Sequence, residues 1–307
     1  MNENQTPLLH VGIRLILTAL LPLFLIISAG AADLKEIKEK GVIRHLGIPY
    51  ANFVTGSGDG LDVDLVKLFA QHLGVEYQYV EASWESVIGD LTGKKVRCKG
   101  DDIEVVGEAP VRGDIIANGF TILPWRKKIV DFSTPTFPSQ IWLMAKADSP
   151  LQPISPHVKV EEDIDAVRGL LKKRRLLGKA NTCLDPSLYD LKETGASIML
   201  FTGSLNDLAP AVIQGDAELT LLDVPDALVA LEKFPGKIKV IGPITEQQYM
   251  GCAFAKTSPE LLKAFNRFLE KIEKDGTYLK IVQRYYPKVF SYYREFFEVN
   301  HGGHKRD

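Results

Sequence analysis

Two oppositely charged side chains stand where the chain could bind both ends of a small zwitterion. Arg126 closes a turn that begins at Gly119, and its planar guanidinium can donate two parallel hydrogen bonds to a carboxylate. Backbone amides near Thr121 could complete that anion site. The alternative interpretation is a surface arginine at the start of a helix. We interpret the pattern as a carboxylate-binding turn.

Asp223 ends the apolar stretch LTLLD, which has the composition of a buried strand. At that strand end its carboxylate would face a cleft and pair with a ligand ammonium group. The residue also precedes Pro225, so it could serve only as the N-cap of the next helix. Both interpretations stay open at this stage.

Tyr50 and Trp84 are the aromatic residues best placed to cover such a ligand. Each lies on a loop or helix start that follows a strand in the first half of the chain. Aromatic rings on two sides would sandwich a ligand side chain. The alternative is that each ring packs against its own sheet.

Strands alternate with helices over most of the chain, which predicts βαβ units and a mainly parallel sheet in each half. The charged, glycine-containing stretch at 92–113 breaks the rhythm and predicts a surface hairpin or extended loop whose role stays open. In the second half, a helix is expected over Pro186–Thr194. Two crossings between the halves are suggested by Gly242-Pro243 and by a proline-rich stretch at 150–156.

This organisation predicts an α/β fold of two lobes with a ligand cleft between them. Lobe 1 comprises residues 33–139 and 250–298, lobe 2 comprises residues 140–249, and residues 299–307 form a flexible tail. In that tail, His301 and His304 could instead bind metal. We expect no metal site and no cofactor.

The N-terminus predicts export. Arg14 precedes an apolar run of 13 residues, LILTALLPLFLII, and small residues follow at 28–32. The run is short for a bilayer span, and Ala29-x-Ala31 suits a signal peptidase, so residues 1–32 are interpreted as a signal peptide of a periplasmic protein. An uncleaved anchor is the alternative. The three cysteines leave open whether any pair forms a disulfide.

The charge distribution does not favour nucleic acid as a partner. The formal net charge is −2, the sequence pI is about 6.3, and the basic residues are scattered. The basic run Lys172–Arg175 is interpreted as a solvated helix end, with phosphate binding as the alternative.

Six segments, taken in order, resemble the family 3 extracellular solute-binding proteins, the amino-acid receptors of ATP-driven importers. They are Gly41–Arg44 with Tyr50–Phe53, Gly60–Leu65, the aromatic Trp84, Gly119–Ser133, Gly215–Asp223, and Asp275–Tyr278 with Tyr285–Tyr286. The resemblance implies a periplasmic-binding-protein-like fold of type II, with two crossing strands as its hinge. It also implies a monomer that closes on an amino acid or related small carboxylate and delivers it to a membrane permease.

The resemblance also assigns residues to the ligand site. It places Tyr50 and Trp84 at the cleft, and it places Asn181, Thr182 and Cys183 where the family has a glycine followed by hydroxyl residues. Backbone amides of that turn would hold the ligand carboxylate from the second lobe. Gly119 stands where a hydroxyl residue often helps to bind the amino group, so a ligand without an amine stays open.

We expect a binding protein and not an enzyme, with no catalytic residue. One alternative is a periplasmic dehydratase-like activity, for which Glu218, Asp223 and Asp185 are the carboxylates available near the presumed cleft. A ligand-sensing ectodomain is the other. A cell-wall lytic enzyme would need a further catalytic domain, for which the chain is expected to be too short.

Overall fold

The structure, a computed structural model, describes residues 30–100 and 102–298. Residues 1–29 of the predicted signal peptide and the predicted tail, including His301 and His304, lie outside the described residues. Ala31 and Ala32, which the sequence assigns to the end of the signal peptide, are buried, and the Ala32 amide donates to Asp114. None of the helices in the described ranges is both long and apolar enough to cross a membrane.

The described chain alternates strands and helices as the sequence pattern predicts. The strands are β1 Val42–Gly47, β2 Glu76–Glu81, β3 Lys94–Lys99, β4 Asp102–Glu108, β5 Ile115–Ile116, β6 Val130–Phe132, β7 Phe137–Ser139, β8 Ile141–Lys146, β9 Arg175–Gly178, β10 Ser197–Leu200, β11 Leu219–Asp223, β12 Ile238–Pro243, β13 Gln248–Met250 and β14 Ala253–Ala255.

The α-helices are α1 Leu34–Lys40, α2 Leu61–Leu73, α3 Val87–Thr92, α4 Pro124–Lys127, α5 Val160–Gly169, α6 Leu208–Gln214, α7 Val224–Lys233, α8 Pro259–Lys274, α9 Thr277–Tyr285 and α10 Phe290–Glu298. Short 3-10 helices cover Pro186–Tyr189, Leu191–Thr194, Leu205–Asp207 and Pro287–Val289. α1 and α2 each end at a glycine in the left-handed conformation, Gly41 and Gly74, as their sequences predict.

Two five-stranded sheets carry the fold, and they share one plan. The first has the order β2-β1-β5-β14-β6, and the second has the order β10-β9-β11-β8-β12. In each sheet three strands run parallel, and a strand from a distant part of the chain pairs antiparallel with the third. The parallel strands point their carboxyl ends the same way, which is where an open α/β sheet presents its binding loops.

The chain passes between the sheets twice, at β7 and at β13. These two strands pair antiparallel with each other, with Tyr249 opposite Pro138. The two crossing strands predicted from the sequence are therefore present, and the predicted α/β, two-lobed fold class is confirmed. The crossings do not lie at the prolines or at Gly242-Pro243, so that part of the prediction was wrong.

The physical reason for this error is that a proline marks a break in regular structure but not what the break connects. β8 and β12 pair in the second sheet, with Pro243 opposite Trp142. The chain at 150–156 then leads from β8 to α5 beside that sheet, where the amide of Ile154 donates to the carbonyl of Ile241. The proline-rich stretch is thus a connection inside the second half.

The predicted helix over Pro186–Thr194 was also wrong, because two 3-10 helices take its place. Asp190, between them, has a positive φ of 50° and ends the first turn. A left-handed residue cannot continue a right-handed helix. The predicted surface hairpin is present as β3 and β4, and Val105 and Val106 on it are exposed.

Candidate functional site

Arg126 lies inside the protein and not on its surface. Its side chain leaves the short helix α4, which begins after Leu123 with Pro124 in the first turn. Only 1% of the residue is exposed, and Nη1 donates to the carbonyl oxygen of Thr121 over 2.9 Å. Its Cζ atom lies 3.9 Å from the centre of the Phe120 ring, a cation–π contact that fixes the plane of the guanidinium.

The Arg126 guanidinium keeps unused donor capacity. Nε is buried and has no hydrogen-bond partner within the described chain. No carboxylate of residues 30–100 or 102–298 lies within salt-bridge distance of it. Burial lowers the pKa of Arg126 to about 10, which still leaves it charged at neutral pH. A desolvated cation with free donors is suited to an anionic ligand group.

Asp223 is the acidic counterpart; its role as a helix cap is confirmed, and its pairing with a ligand ammonium group stays a prediction. It ends β11 and caps α7, since its Oδ1 accepts from the amide of Asp226 over 3.2 Å. Its carboxylate is also fully buried, and Oδ2 lies 3.6 Å from the thiol of Cys183. Burial raises the pKa of Asp223 to about 6, while Tyr50, the Asp226 amide and Cys183 act in the opposite direction.

Tyr50 and Trp84 form an aromatic wall beside these charges. Tyr50 is fully buried and meets Trp84 edge-on, with the ring centres 5.6 Å apart. Trp84 is nearly parallel to Phe120 at 6.4 Å, and its ring centre lies 6.0 Å from Cζ of Arg126. The Tyr50 hydroxyl has no hydrogen-bond partner among the described residues. The two rings therefore extend from the Arg126 guanidinium, beside Trp84, to the buried hydroxyl of Tyr50.

The turn after β9 supplies the second side of the site. Asn181 takes a positive φ of 62°, which suits a position where the family has glycine. The Thr182 hydroxyl donates to the carbonyl of Lys179 and accepts from the amide of Leu184, so that side chain is used within the turn. Cys183 is the member that faces Asp223. Burial, and then Asp223, raises the pKa of the Cys183 thiol to about 12.

Gly119 is required by packing and by backbone geometry. Its φ is +67°, and a Cβ atom there would lie 2.5 Å from Cδ2 of Phe53. Its amide donates to Oδ2 of Asp62 over 2.7 Å, so that amide is already used. Burial raises the pKa of Asp62 to about 7. The absence of a side chain at Gly119 therefore lets the turn that carries Thr121 and Arg126 pack closely against Phe53.

The predicted residues thus gather at one buried place. Tyr50, Trp84 and Thr121 come from loops of the first half of the fold, and Arg126 comes from α4. Cys183 lies in the turn after β9, and Asp223 ends β11. The two sides adjoin, because the amide of Ala51 donates to Asn206 over 2.8 Å and Nζ of Lys179 lies 3.9 Å from Glu85. Thr182 and Gly119 lie behind, where they shape the turns that present the other side chains.

The sequence interpretation missed two residues of this region. Phe120 belongs to the predicted turn, but its role as the platform for the guanidinium was not foreseen. Asp226 follows Asp223 by three residues and is also buried, with an Oδ2 atom that has no partner in the described chain. The sequence signal that could have identified Asp226 was a second carboxylate in the first turn of a helix whose other first-turn residues are apolar.

Two α/β sheets joined by paired crossing strands, with buried opposite charges from both sides, define a two-domain solute-binding protein. The chain belongs to the bacterial extracellular solute-binding proteins, family 3, whose profile matches residues 111–288. The family resemblance inferred from the sequence is therefore confirmed.

Three comparisons show where the chain stands in this group. It is 27% identical over 233 residues to the membrane-bound lytic murein transglycosylase F of Desulfosudis oleivorans, covering 75% of this chain and 44% of that protein. It is 25% identical over 262 residues to the L-cystine-binding protein TcyJ of Escherichia coli, covering 82% of this chain and 85% of that protein. A crystal structure of a mutant of ArgBP from T. maritima superposes with a TM-score of 0.65 at 26% identity, covering 83% of this chain and 99% of that one.

The chain spans less than half the length of the murein transglycosylase, whereas it spans most of each binding protein.

Proposed function

We propose that this protein captures an amino acid between its two lobes. The ligand carboxylate binds Arg126, and its ammonium group binds Asp223. One observation carries the proposal: a buried guanidinium and a buried carboxylate face one region from opposite sheets, and neither forms a salt bridge within the described chain. A zwitterion supplies the missing partner of each.

The expected free energies of these contacts are compatible with micromolar binding of an amino acid. Each charge-assisted hydrogen bond contributes about 1.5 to 3 kcal/mol, and micromolar binding requires about 8 kcal/mol. Two ionic contacts leave the remainder to desolvation and to contact with aromatic rings. We assign that contact to Tyr50 and Trp84, whose rings meet edge-on.

Closure of the lobes is the mechanism we propose. A ligand held by groups from both sheets binds the closed form better than the open form, so binding shifts the population toward closure. β7 and β13 are the natural hinge because both connect the two sheets. The closed protein then delivers its ligand to a membrane permease of an ABC transporter from the periplasm, as a monomer.

Binding, and not catalysis, is supported by the other acidic residues named as candidates for proton transfer. Glu218 pairs with Arg174 over 3.0 Å and is partly exposed. Asp185 accepts from the amide and hydroxyl of Ser187, as the cap of a 3-10 helix. Asp223 alone among the three lies at the site.

The test is a calorimetric screen of the exported protein against the natural amino acids and small carboxylates without an amine. Arg126→Met keeps an unbranched side chain on Phe120 and removes the charge, and Asp223→Asn keeps the helix cap. We expect each to weaken binding of the best amino acid by at least about tenfold. Arg267→Met, on the exposed face of α8, is the matched control and should not change it. Unchanged binding by Arg126→Met would refute the assigned site.

A further inference from the structure

The site contains a second buried carboxylate that an ordinary amino acid does not need. Asp226 lies in the first turn of α7, and only 4% of the residue is exposed. Its Oδ2 atom has no hydrogen-bond partner, and neither it nor Asp223 has a basic side chain within salt-bridge distance in the described parts of the chain. Most carboxylates buried to this degree are paired or hydrogen-bonded.

Asp226 adjoins the residues already assigned to the ligand. Its amide donates to Oδ1 of Asp223, so the two carboxylates leave the same helix turn. Burial raises the pKa of the Tyr50 hydroxyl, and Asp223 and Asp226 both raise it further, so both carboxylates act on the tip of this ring. The Tyr50 hydroxyl is itself buried without a partner among the described residues. The helix turn that carries Asp223 thus presents a second buried carboxylate with an unpaired oxygen, near enough to Tyr50 to act on its hydroxyl.

The charges of these groups indicate what the ligand must carry. A neutral amino acid matches Arg126 with its carboxylate and Asp223 with its ammonium group, and it leaves Asp226 without a counter-charge. Lys233, whose charge lowers the pKa of Asp226, lies at the exposed far end of α7 and forms no salt bridge with it in the described structure. A second positive group on the ligand would complete the balance.

We propose that the preferred ligand is a dibasic amino acid, whose side-chain cation binds beside Asp226 and the Tyr50 hydroxyl. This inference rests on the function proposed above, because it uses Arg126 and Asp223 for the α-carboxylate and the α-ammonium group. It adds Asp226 as the residue that determines specificity.

The competing explanation is that Asp226 remains a protonated, purely structural acid. Burial, and then the neighbouring Asp223, raises the pKa of Asp226 well above its usual range, which would suit a neutral group. A ligand cation would reverse that balance by favouring the ionised form. The two explanations differ in whether removal of the Asp226 charge affects cationic ligands selectively.

The experiment compares pairs of ligands that differ mainly in side-chain charge. L-arginine is measured against L-citrulline, and L-lysine against L-norleucine, by titration calorimetry at pH 7.5. The proteins are the wild type, Asp226→Asn and the control Glu232→Gln, which removes an exposed charge from the same helix. A thermal unfolding curve of each variant verifies that it is folded.

We expect the wild type and Glu232→Gln to bind the cationic member of at least one pair about 10- to 100-fold more tightly. In Asp226→Asn this preference should fall below about threefold, with little change for the neutral member. The inference is overturned if the wild type shows no preference, or if Asp226→Asn retains it.

The proposed function is tested separately in the same data. If a neutral amino acid binds best and binds more weakly to Arg126→Met, the proposed amino-acid site is supported and the proposed dibasic preference is refuted. If no amino acid binds the wild type, both proposals fail.

Discussion

The amide nitrogen of Ala51 donates to Oδ1 of Asn206 over 2.8 Å, and this bond joins a loop of the first sheet to a 3-10 helix beside the second. A second contact of the same kind brings Nζ of Lys179 within 3.9 Å of Glu85. Both join the first half of the chain to the second. Under the closure mechanism proposed above, opening would break them, so they would favour the closed arrangement with or without a ligand.

Asn206→Ala should therefore favour opening. Loss of one hydrogen bond of this type removes about 0.5 to 1.5 kcal/mol, which corresponds to a change of about 2- to 10-fold in the closed population and in ligand affinity. The readout is the rate at which a thiol reagent labels Cys183, which is 2% exposed, in a Cys98→Ser background where Cys252 stays in the core.

The control for this change is Thr202→Ala, an exposed position near Asn206. It should label at the wild-type rate. Equal labelling of Asn206→Ala and the wild type would show that the Ala51 contact does not hold the lobes together.

Ligand affinity should fall as the pH is lowered through about 6. The pKa of Asp223 is raised to about 6 by burial, and a protonated Asp223 no longer attracts an ammonium group. At pH 5 we expect affinity about tenfold lower than at pH 7.5, and a smaller pH dependence in Asp223→Asn. Calorimetric titration at the two pH values is the measurement. A pH-independent affinity in the wild type would contradict the assignment of the ammonium group to Asp223.

In the ligand-free protein, Asp223 should have the opposite pH effect: it should raise the unfolding free energy as the pH falls. Because the folded-state pKa of Asp223 lies above its unfolded value, the unfolded state loses its proton first as the pH rises from about 4 to 6. Relative to Asp223→Asn, the wild type should therefore gain unfolding free energy as the pH falls through this window. Urea unfolding of both proteins at pH 4.5 and 7.5 tests the sign.

His45 should make the fold sensitive to acid. It is fully buried in β1, with Nε2 2.6 Å from the carbonyl oxygen of Ala117 and Nδ1 2.9 Å from the Tyr77 hydroxyl. Burial lowers the pKa of His45 to about 4, so the folded state holds the neutral ring while the unfolded state takes up a proton below about 6.5. The stability that His45 contributes is present above pH 6.5 and is lost as the pH falls toward 4.

His45→Gln removes this titration. The advantage of the wild type over the variant in unfolding free energy should shrink by about 2 to 3 kcal/mol between pH 7.5 and 4.5. His72→Gln, at an exposed position on α2, is the control and should parallel the wild type. A constant difference between His45→Gln and the wild type would mean that the buried ring accepts a proton without penalty.

Helix α10 should stabilise the crossing strands. Phe297 is 4% exposed, and its ring centre lies 5.8 Å from that of Phe137 on β7. Phe296 stacks on Tyr249 of β13 at 5.9 Å, so neighbouring residues of α10 contact both crossings. Phe297→Ala should cost about 3 to 5 kcal/mol of unfolding free energy, measured by urea unfolding.

Tyr292→Ala, on the same helix at a residue that is 56% exposed, should cost less than about 1 kcal/mol. If Phe297→Ala costs no more than this control, α10 does not stabilise the crossings.

Much of the fold follows from local sequence patterns. The capping box Asp33–Glu36 and the glycine at 41 specify α1, and the sequence LTLLD followed by Val224-Pro225 specifies a buried strand that runs into a helix. The turn from Gly119 to Arg126 could be proposed as a ligand-binding turn because it resembles the turn of the family. Asp190 gave no such signal, since a left-handed aspartate differs from a helical one only in its backbone.

The sequence by itself determined most of the elements and the alternation that makes an α/β protein, because these depend on neighbours along the chain. It also identified the two charged residues that we propose to bind a zwitterion. Only the tertiary structure decided that β14 enters the first sheet between β5 and β6. It also decided that the crossings lie at β7 and β13, and that Asp226 is buried beside Asp223. Strand order, register and the burial of a polar group depend on surfaces contributed by residues far apart in sequence, and no local pattern encodes which of those surfaces meet.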